Sequence, residues 1–439
     1  MADHAVSSDP AVQAQLDRLA TLSPGADILG LERITALLDR LGNPHRALPP
    51  VFHVAGTNGK GSTCAFLRAA LEAAGHRAHV YTSPHLVRFN ERIRVAGSLI
   101  DDAQLAALLA EVLDSAGDIG PSFFEVTTAA AFLAFARTPA EVCVIEVGLG
   151  GRLDATNVIE HPAICGIAQL GLDHQQFLGD RIEQIAAEKA GIAKDGVPLI
   201  TLHYPATQAN EIGRVVREKG AHWLAKGGTW DATAYRGRLH YKDESGELEL
   251  PLPRLPGAHQ AMNAGLAVAM LRHQQAVAVP ATAYRAAMGW AEWPARLQRL
   301  AAGPLAATLP EGSELWLDGG HNPAAGRAVA EFFRARRAPG QPFRMVIGML
   351  ANKDVRGFLE PFAGSGLVLH AVPVPGHAHH DAAAVAAAAA PLGLTVTAAS
   401  DAPAALDAIA AEGISGIILI GGSLYLAGAV LAANGTPPE

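Results

Sequence analysis

Val51-Phe-His-Val-Ala-Gly-Thr-Asn-Gly-Lys-Gly-Ser-Thr63 governs how the rest of the chain reads. Val51–Val54 has the apolar density of a short buried strand. A glycine-rich turn follows, and then a helical pattern over Cys64–Ala74. Strand, turn and helix in this order make an anion site. Gly56, Gly59 and Gly61 let the backbone curl tightly, and the amides at the helix start point at a phosphate. Lys60 adds a full positive charge beside the terminal phosphates of a nucleotide. The stretch is not a strict Walker A, because Val54 stands where the first glycine belongs.

The chain has 439 residues, long for one core, so two or three domains are expected. Half of the residues are hydrophobic and 17% are charged, which is the composition of a folded globular protein. The formal charge of −8 argues against nucleic-acid and acidic-membrane binding. Anionic substrates must then be held by local cations. Three cysteines, Cys64, Cys143 and Cys165, show neither zinc spacing nor a disulfide framework, so a reducing cytosol is expected. The first residues carry no signal-peptide pattern, and no stretch is apolar and long enough to span a membrane.

Helical spacing marks residues 11–22 and 28–41. Strand-like runs then alternate with helices. The strands are Val51–Val54, Ala78–Thr82, Val142–Val147, Ala163–Leu170 and Pro198–Leu202. The helices include Ala103–Leu113, Val126–Arg137 and Ile182–Ile192. This alternation predicts an α/β fold with a mostly parallel sheet covered on both faces. Residues 234–250 read as a surface β-hairpin. Glu292–Glu314, with Pro294, Pro304 and Pro310, reads as a linker. Beyond it, strands at Leu315–Leu317, Arg344–Ile347, Val368–Val372, Thr395–Thr397 and Ile417–Ile420 predict a second, smaller Rossmann-like α/β domain. The expected division is 1–295 and 296–439.

Ligands of open α/β sheets gather at the carboxyl ends of strands. Glu146 ends an apolar strand and is followed by Gly148-Leu-Gly-Gly-Arg-Leu-Asp-Ala-Thr-Asn157. A carboxylate there, opposite a phosphate loop, is placed to hold a nucleotide-bound Mg²⁺; alone it would read as half of a buried ion pair. Asp173-His174 and Thr82-Ser83-Pro84 end two further strands; each alone reads as a structural histidine and a Ser-Pro turn. His377, His379 and His380 with Asp381 could bind a metal, but an exposed loop before a helix capped by Asp381 is the simpler reading.

Taken in order, these stretches resemble the folylpolyglutamate synthases of the Mur ligase superfamily, more closely the bacterial bifunctional dihydrofolate synthase/folylpolyglutamate synthases. The matching pieces are Leu29-Gly-Leu-Glu-Arg33, the loop at 55–63, Ser83-Pro-His-Leu86, Asn90-Glu-Arg-Ile93, Phe124-Glu125 and Glu146–Asn157. They continue with Leu172-Asp-His174, Glu188-Lys-Ala-Gly-Ile192, Asn263-Ala264, Arg296, Asp318, His321-Asn-Pro323 and Gly421-Gly-Ser423. The resemblance implies a P-loop ATP-binding domain and a C-terminal domain that closes over ATP and binds glutamate. It implies ATP contacts from Asn58, Gly59, Lys60, Gly61, Ser62, Asn263, Arg296 and Asp318. Ser83, Glu146, His174 and Lys189 would ligate Mg²⁺ at two sites, with Lys189 carboxylated to a carbamate. Asp27, Ile28, Ser122, Phe123, Phe124, Glu125, Leu153, Asp154 and Ala155 would line a pterin site. Lys60, Lys189, His174 and His321 would carry the chemistry. One departure is Trp293-Pro-Ala-Arg296, where the family commonly has Pro-Gly-Arg; Ala295 is expected to be strained if that position has positive φ.

The implied activity is an ATP-dependent amide ligase of the cytoplasm, monomeric. It joins L-glutamate to 7,8-dihydropteroate and to reduced folates through an acyl phosphate. Alternatives are folylpolyglutamate synthesis only, a Mur-type cell-wall amino-acid ligase, and a nucleotide-binding regulator with a decayed site.

Overall fold

The computed structural model describes residues 5–22 and 29–438. By compactness the chain forms two units. The first runs to His85 and continues over Phe89–Arg254 and His259–Glu292; the second comprises Leu86–Arg88, Leu255–Ala258 and the chain from Trp293.

In the first unit, apolar runs and β-branched residues form β1 (Val51–Ala55), β2 (Ala78–Tyr81), β3 (Ile93–Val95) and β4 (Ser98–Leu99). Four more strands follow: β5 (Val142–Glu146), β6 (Ile164–Ile167), β7 (Pro198–Thr201) and β8 (His222–Ala225). They make one sheet in the order β4-β3-β2-β5-β1-β6-β7-β8. From β2 to β8 the neighbours are parallel, and β3 and β4 add an antiparallel edge. The chain leaves β1 for one side of the sheet and returns to the other, so β1 lies at a switch point between β5 and β6. Val54 pairs with Glu146 and Ala55 with Ile167, which brings the phosphate loop, Glu146 and the segment after β6 to one edge.

Helices Pro10–Leu22, Glu32–Arg40, Asp102–Ala116 and Phe123–Arg137 share an apolar core with β1, β2 and β5. Their starts are written locally: Asp101 accepts from the Gln104 amide at 2.7 Å, and Ser122 with Glu125 forms a capping box. The helix expected over 28–41 begins only at Glu32, just past Gly30.

The expected surface hairpin is a three-stranded antiparallel sheet of β9 (Trp230–Tyr235), β10 (Arg238–Asp243) and β11 (Gly246–Pro251). Its alternation buries Trp230, Ala232, Leu239, Tyr241 and Leu250, so one face is packed rather than exposed.

The second unit carries β12 (Gln298–Arg299), β13 (Glu314–Asp318), β14 (Phe343–Ile347), β15 (Val368–Ala371), β16 (Thr395–Ala398) and β17 (Ile417–Gly421). Their order is β12-β13-β17-β14-β15-β16, parallel except for β12, with one apolar cluster on each face. The stretch read as a linker is therefore structured: β12 joins the sheet, and Leu300 and Leu305 are buried.

Candidate active site

The phosphate loop is shaped by its glycines and strapped to the segment after β6. Gly56 has φ 150° and Gly59 φ 85°; a Cβ on Gly56 would lie 2.9 Å from the Ala168 Cβ. The Thr57 and Asn58 amides donate to Gln169 O at 2.8 and 3.1 Å, and Thr57 Oγ1 donates to Gly171 O at 3.0 Å. The helix opens at Lys60 and its first backbone bond runs from the Thr63 amide to Gly59 O, so the amides of Lys60, Gly61 and Ser62 precede it. Lys60 Nζ rests on Gly56 O and Thr57 O at 3.1 and 3.4 Å, inside the loop it opens.

Helix Ala258–His273 closes the other side. A Cβ on Gly59 would stand 2.3 Å from Asn263 Oδ1, which places Asn263 against the loop. Asn263 Nδ2 donates to Gln260 Oε1 at 3.0 Å, and Gln260 Nε2 to Ser62 Oγ at 3.3 Å. Sequence reading missed Gln260; a fully buried amide in an alanine-rich helix gives no periodic signal.

Glu146 is buried at the end of β5, and its Oε2 accepts the Ser83 amide at 3.2 Å. The two expected metal-site residues from β5 and from beyond β2 are thus adjacent. His174 caps a short helix with φ 52°, and its amide donates to Asp173 Oδ1 at 2.9 Å. Lys189 is buried in the last turn of helix Ile182–Ala190. Burial, and then the nearby charge of Lys60, push its amine down to about 7, against the pull of Asp173, Asp154 and Glu188. Gly151 is needed there, since a Cβ on it would lie 2.7 Å from Glu188 O.

Of the expected pterin residues, Phe124 and Asp154 meet at the glycine run. Gly148 abuts the Phe124 ring, 2.3 Å from where its Cβ would be. The Ser122 amide donates to Glu125 Oε2 at 2.6 Å, and Arg33 Nε reaches the same oxygen at 3.0 Å. Phe123 and Ala155 are buried in the apolar cluster of this side, and Leu153 is half-buried. The Asp154 carboxylate accepts from Leu149 and Thr156 amides and from Thr156 Oγ1. Asp27 and Ile28 lie outside the described residues.

In the second unit, Asp318 Oδ2 accepts the Leu297 amide at 2.9 Å and Oδ1 accepts the Gly320 amide at 2.7 Å. This holds a turn in which Ala295 (φ 56°) and Leu297 (φ 45°) flank Arg296. Ala295 is thus in the left-handed region, which meets the condition for strain there. Three terms decide what Ala295→Gly does. It relieves about 1–2 kcal/mol of left-handed strain. It loses about 0.8 kcal/mol of methyl burial and 0.5–1 kcal/mol of chain entropy. The expected net change is within about 1 kcal/mol, whereas Ala295→Val, branched and overpacked, should cost more than about 2 kcal/mol in denaturant unfolding. His321 Nδ1 lies 3.1 Å from Gly319 O, and Asn322 caps helix Pro323–Arg336. In the histidine cluster, Asp381 caps helix Ala382–Ala389, while His379 and His380 turn to the carbonyls of His377 and Lys353.

A model of the Mur ligase middle domain matches residues 54–271. The dihydrofolate synthase/folylpolyglutamate synthase of Escherichia coli (strain K12) is 38% identical over 334 residues, 75% of this chain and 74% of that protein. This chain belongs to the dihydrofolate synthase/folylpolyglutamate synthase family. Among solved structures of the family, E. coli FolC in complex with DHPP and ADP matches with TM-score 0.86 at 33% identity, covering 97% of both chains. A bifunctional folylpolyglutamate synthase/dihydrofolate synthase with Mn, AMPPNP and L-glutamate bound gives 0.84 at 31%, covering 97% of this chain and 99% of that one.

For a dihydrofolate synthase/folylpolyglutamate synthase, the donor set suits Mg²⁺. Among the described residues no three His, Cys, Asp and Glu side chains group as a metal cage. One buried carboxylate beside a serine, facing a phosphate loop, is how a cation bound largely through phosphate and water oxygens is held. No described helix is long and apolar enough to cross a membrane.

Proposed function

We propose that this chain is an ATP-dependent ligase that joins L-glutamate to 7,8-dihydropteroate and to reduced folates. The observation that carries the reading is the sheet edge where Glu146 pairs beside the loop that holds Lys60, with the buried Lys189 near enough to feel the charge of Lys60. A decayed nucleotide site would have no reason to keep a lysine buried at that cost. The acceptor carboxylate attacks the γ-phosphate of ATP, giving an acyl phosphate and ADP. The glutamate amine then attacks the acyl carbon, and phosphate leaves.

Lys60 and the amides of Lys60, Gly61 and Ser62 bind the phosphates and offset charge as the phosphoryl group moves. Asn58 and Gly59 shape the loop, and Asn263, Arg296 and Asp318 are assigned to the nucleotide. Mg²⁺ held by Ser83, Glu146 and His174, with Lys189 as a carbamate, would spread the charge of the terminal phosphates. Phe124, Glu125 and the 148–155 turn orient the pterin, and His321 is assigned to the glutamate step. Three buried free cysteines agree with a cytoplasmic, reduced protein, which we take to act as a monomer.

ADP release with dihydropteroate, and then with tetrahydrofolate, each with and without L-glutamate, tests this. Glutamate-dependent release is expected with both acceptors. Release with tetrahydrofolate alone would reduce the activity to folylpolyglutamate synthesis. Release only with a cell-wall nucleotide would overturn the reading.

A further inference from the structure

We propose that His53, at the centre of β1, is a positioning residue for the acceptor site, acting through Thr156 on Asp154. The inference rests on the functional reading above for its kinetic part only.

His53 is fully buried and pairs in the sheet with Ile145 on one side and Cys165 on the other. Its Nε2 lies 2.8 Å from Thr156 Oγ1, and Thr156 Oγ1 lies 2.5 Å from Asp154 Oδ1. Thr156 is fully buried and Asp154 is 2% exposed. The Leu149 amide donates to Asp154 Oδ2 at 2.8 Å and the Thr156 amide to Oδ1 at 3.0 Å. Burial pushes the Asp154 carboxyl up from its ordinary range, and the hydrogen bonds from the Thr156 hydroxyl and the Leu149 and Thr156 amides oppose that. With the Thr156 hydroxyl donating to Asp154 Oδ1, its oxygen accepts from His53 Nε2–H, which sets the tautomer. Burial, helped by Lys194, pushes the imidazole down to about 3, so the ring stays neutral.

His53 Nδ1 has no hydrogen-bond partner. A buried unpaired nitrogen costs stability that valine or leucine at this strand position would not. What the imidazole supplies in return is one donor, and Thr156 receives it. The relay runs from the strand that delivers the phosphate loop to the turn 148–155 that meets Phe124. It fixes the acceptor turn relative to the loop, and near-attack geometry depends on that relation.

His53→Leu and Thr156→Val remove the relay at its two ends. His53→Gln keeps a donor near the Nε2 position. Steady-state rates with dihydropteroate, ATP and L-glutamate are compared with amide hydrogen exchange in the same proteins. For the Leu and Val variants, the KM for dihydropteroate should rise about tenfold, the size of one lost hydrogen bond to a charged group. The KM for ATP should stay within about twofold. Exchange at Leu149 and Thr156 should quicken by a similar factor, with helix Lys60–Ala73 unchanged, and His53→Gln should restore both. A parallel rise of both KM values, no rescue by glutamine, or unchanged exchange at Leu149 would each overturn the proposal. If His53→Leu does not fold, Thr156→Val carries the test. If the unaltered enzyme uses no dihydropteroate, the functional reading narrows to folylpolyglutamate synthesis, and exchange in Thr156→Val still decides the relay: quickened at Leu149 upholds it, unchanged removes it.

Discussion

Replacing Lys60 with alanine is expected to lower glutamate-dependent ADP release by at least about 100-fold, the usual scale for losing one charge-stabilising donor. The fold should survive. Lys60 is half-buried, and among the described residues its ammonium hydrogen-bonds to Gly56 O and Thr57 O of its own loop. Those contacts hold no distant element, so their loss costs little stability. In the proposed role, an arriving phosphate would offer the ammonium a stronger partner than two carbonyls. A second effect adds to the first. The charge of Lys60 helps to lower the Lys189 amine, so removing it raises that amine and leaves less of it neutral. The two lysines should therefore be non-additive in a double-mutant cycle. Lys60→Arg keeps the charge, but its planar fork cannot rest on the same two carbonyls, and partial activity is expected. Near-normal turnover by Lys60→Ala, with an unchanged circular dichroism spectrum, would remove Lys60 from the mechanism.

What the sequence discloses here is what is local. The phosphate loop, with its strand before and helix after, is written in consecutive residues, and so are the five strands β13 to β17. Strands β3 and β4 escaped because three and two residues carry no period, and their pairing is set by β2. Strand β8 escaped because it is half-buried at a sheet edge and does not alternate. The site divides in the same way. Glycines at 56, 59, 148, 150 and 151 signal themselves, whereas burial of a polar side chain does not. Lys189 beside Glu188 and Asp195 reads from composition as a solvated ion pair. In the fold Glu188 pairs with Arg152 at 2.8 Å, and Lys189 turns inward. His53 passed as part of an apolar run, and Gln260 as one polar residue in a helix. Both are defined by partners about a hundred or more residues away, Thr156 and Ser62.

Lys189→Ala is the second large effect expected, with loss of most activity and partial recovery on adding small carboxylic acids. The buried amine at about 7 is near half neutral at pH 7, where an ordinary lysine is about one part in three thousand neutral. Carbamate formation uses that neutral amine: nitrogen bonds the carbon of CO₂ and releases a proton, giving an anionic oxygen ligand on a long stem. An ammonium in the same place would repel Mg²⁺, and a carbamate would attract it. Activity of the unaltered enzyme should thus fall in CO₂-depleted buffer, more steeply below pH 7, and return with bicarbonate. Stability offers a readout free of turnover. Between about pH 7 and the unfolded value near 10.4, the unfolded chain holds the lysine proton and the folded chain does not. Stability from this group therefore increases as pH rises through that window, and the penalty is constant below it. Lys189→Met should flatten the rise in denaturant midpoint. An unmodified Nζ in crystals with ATP and Mg²⁺, together with turnover indifferent to CO₂, would sink the carbamate and leave Lys189 as a buried amine.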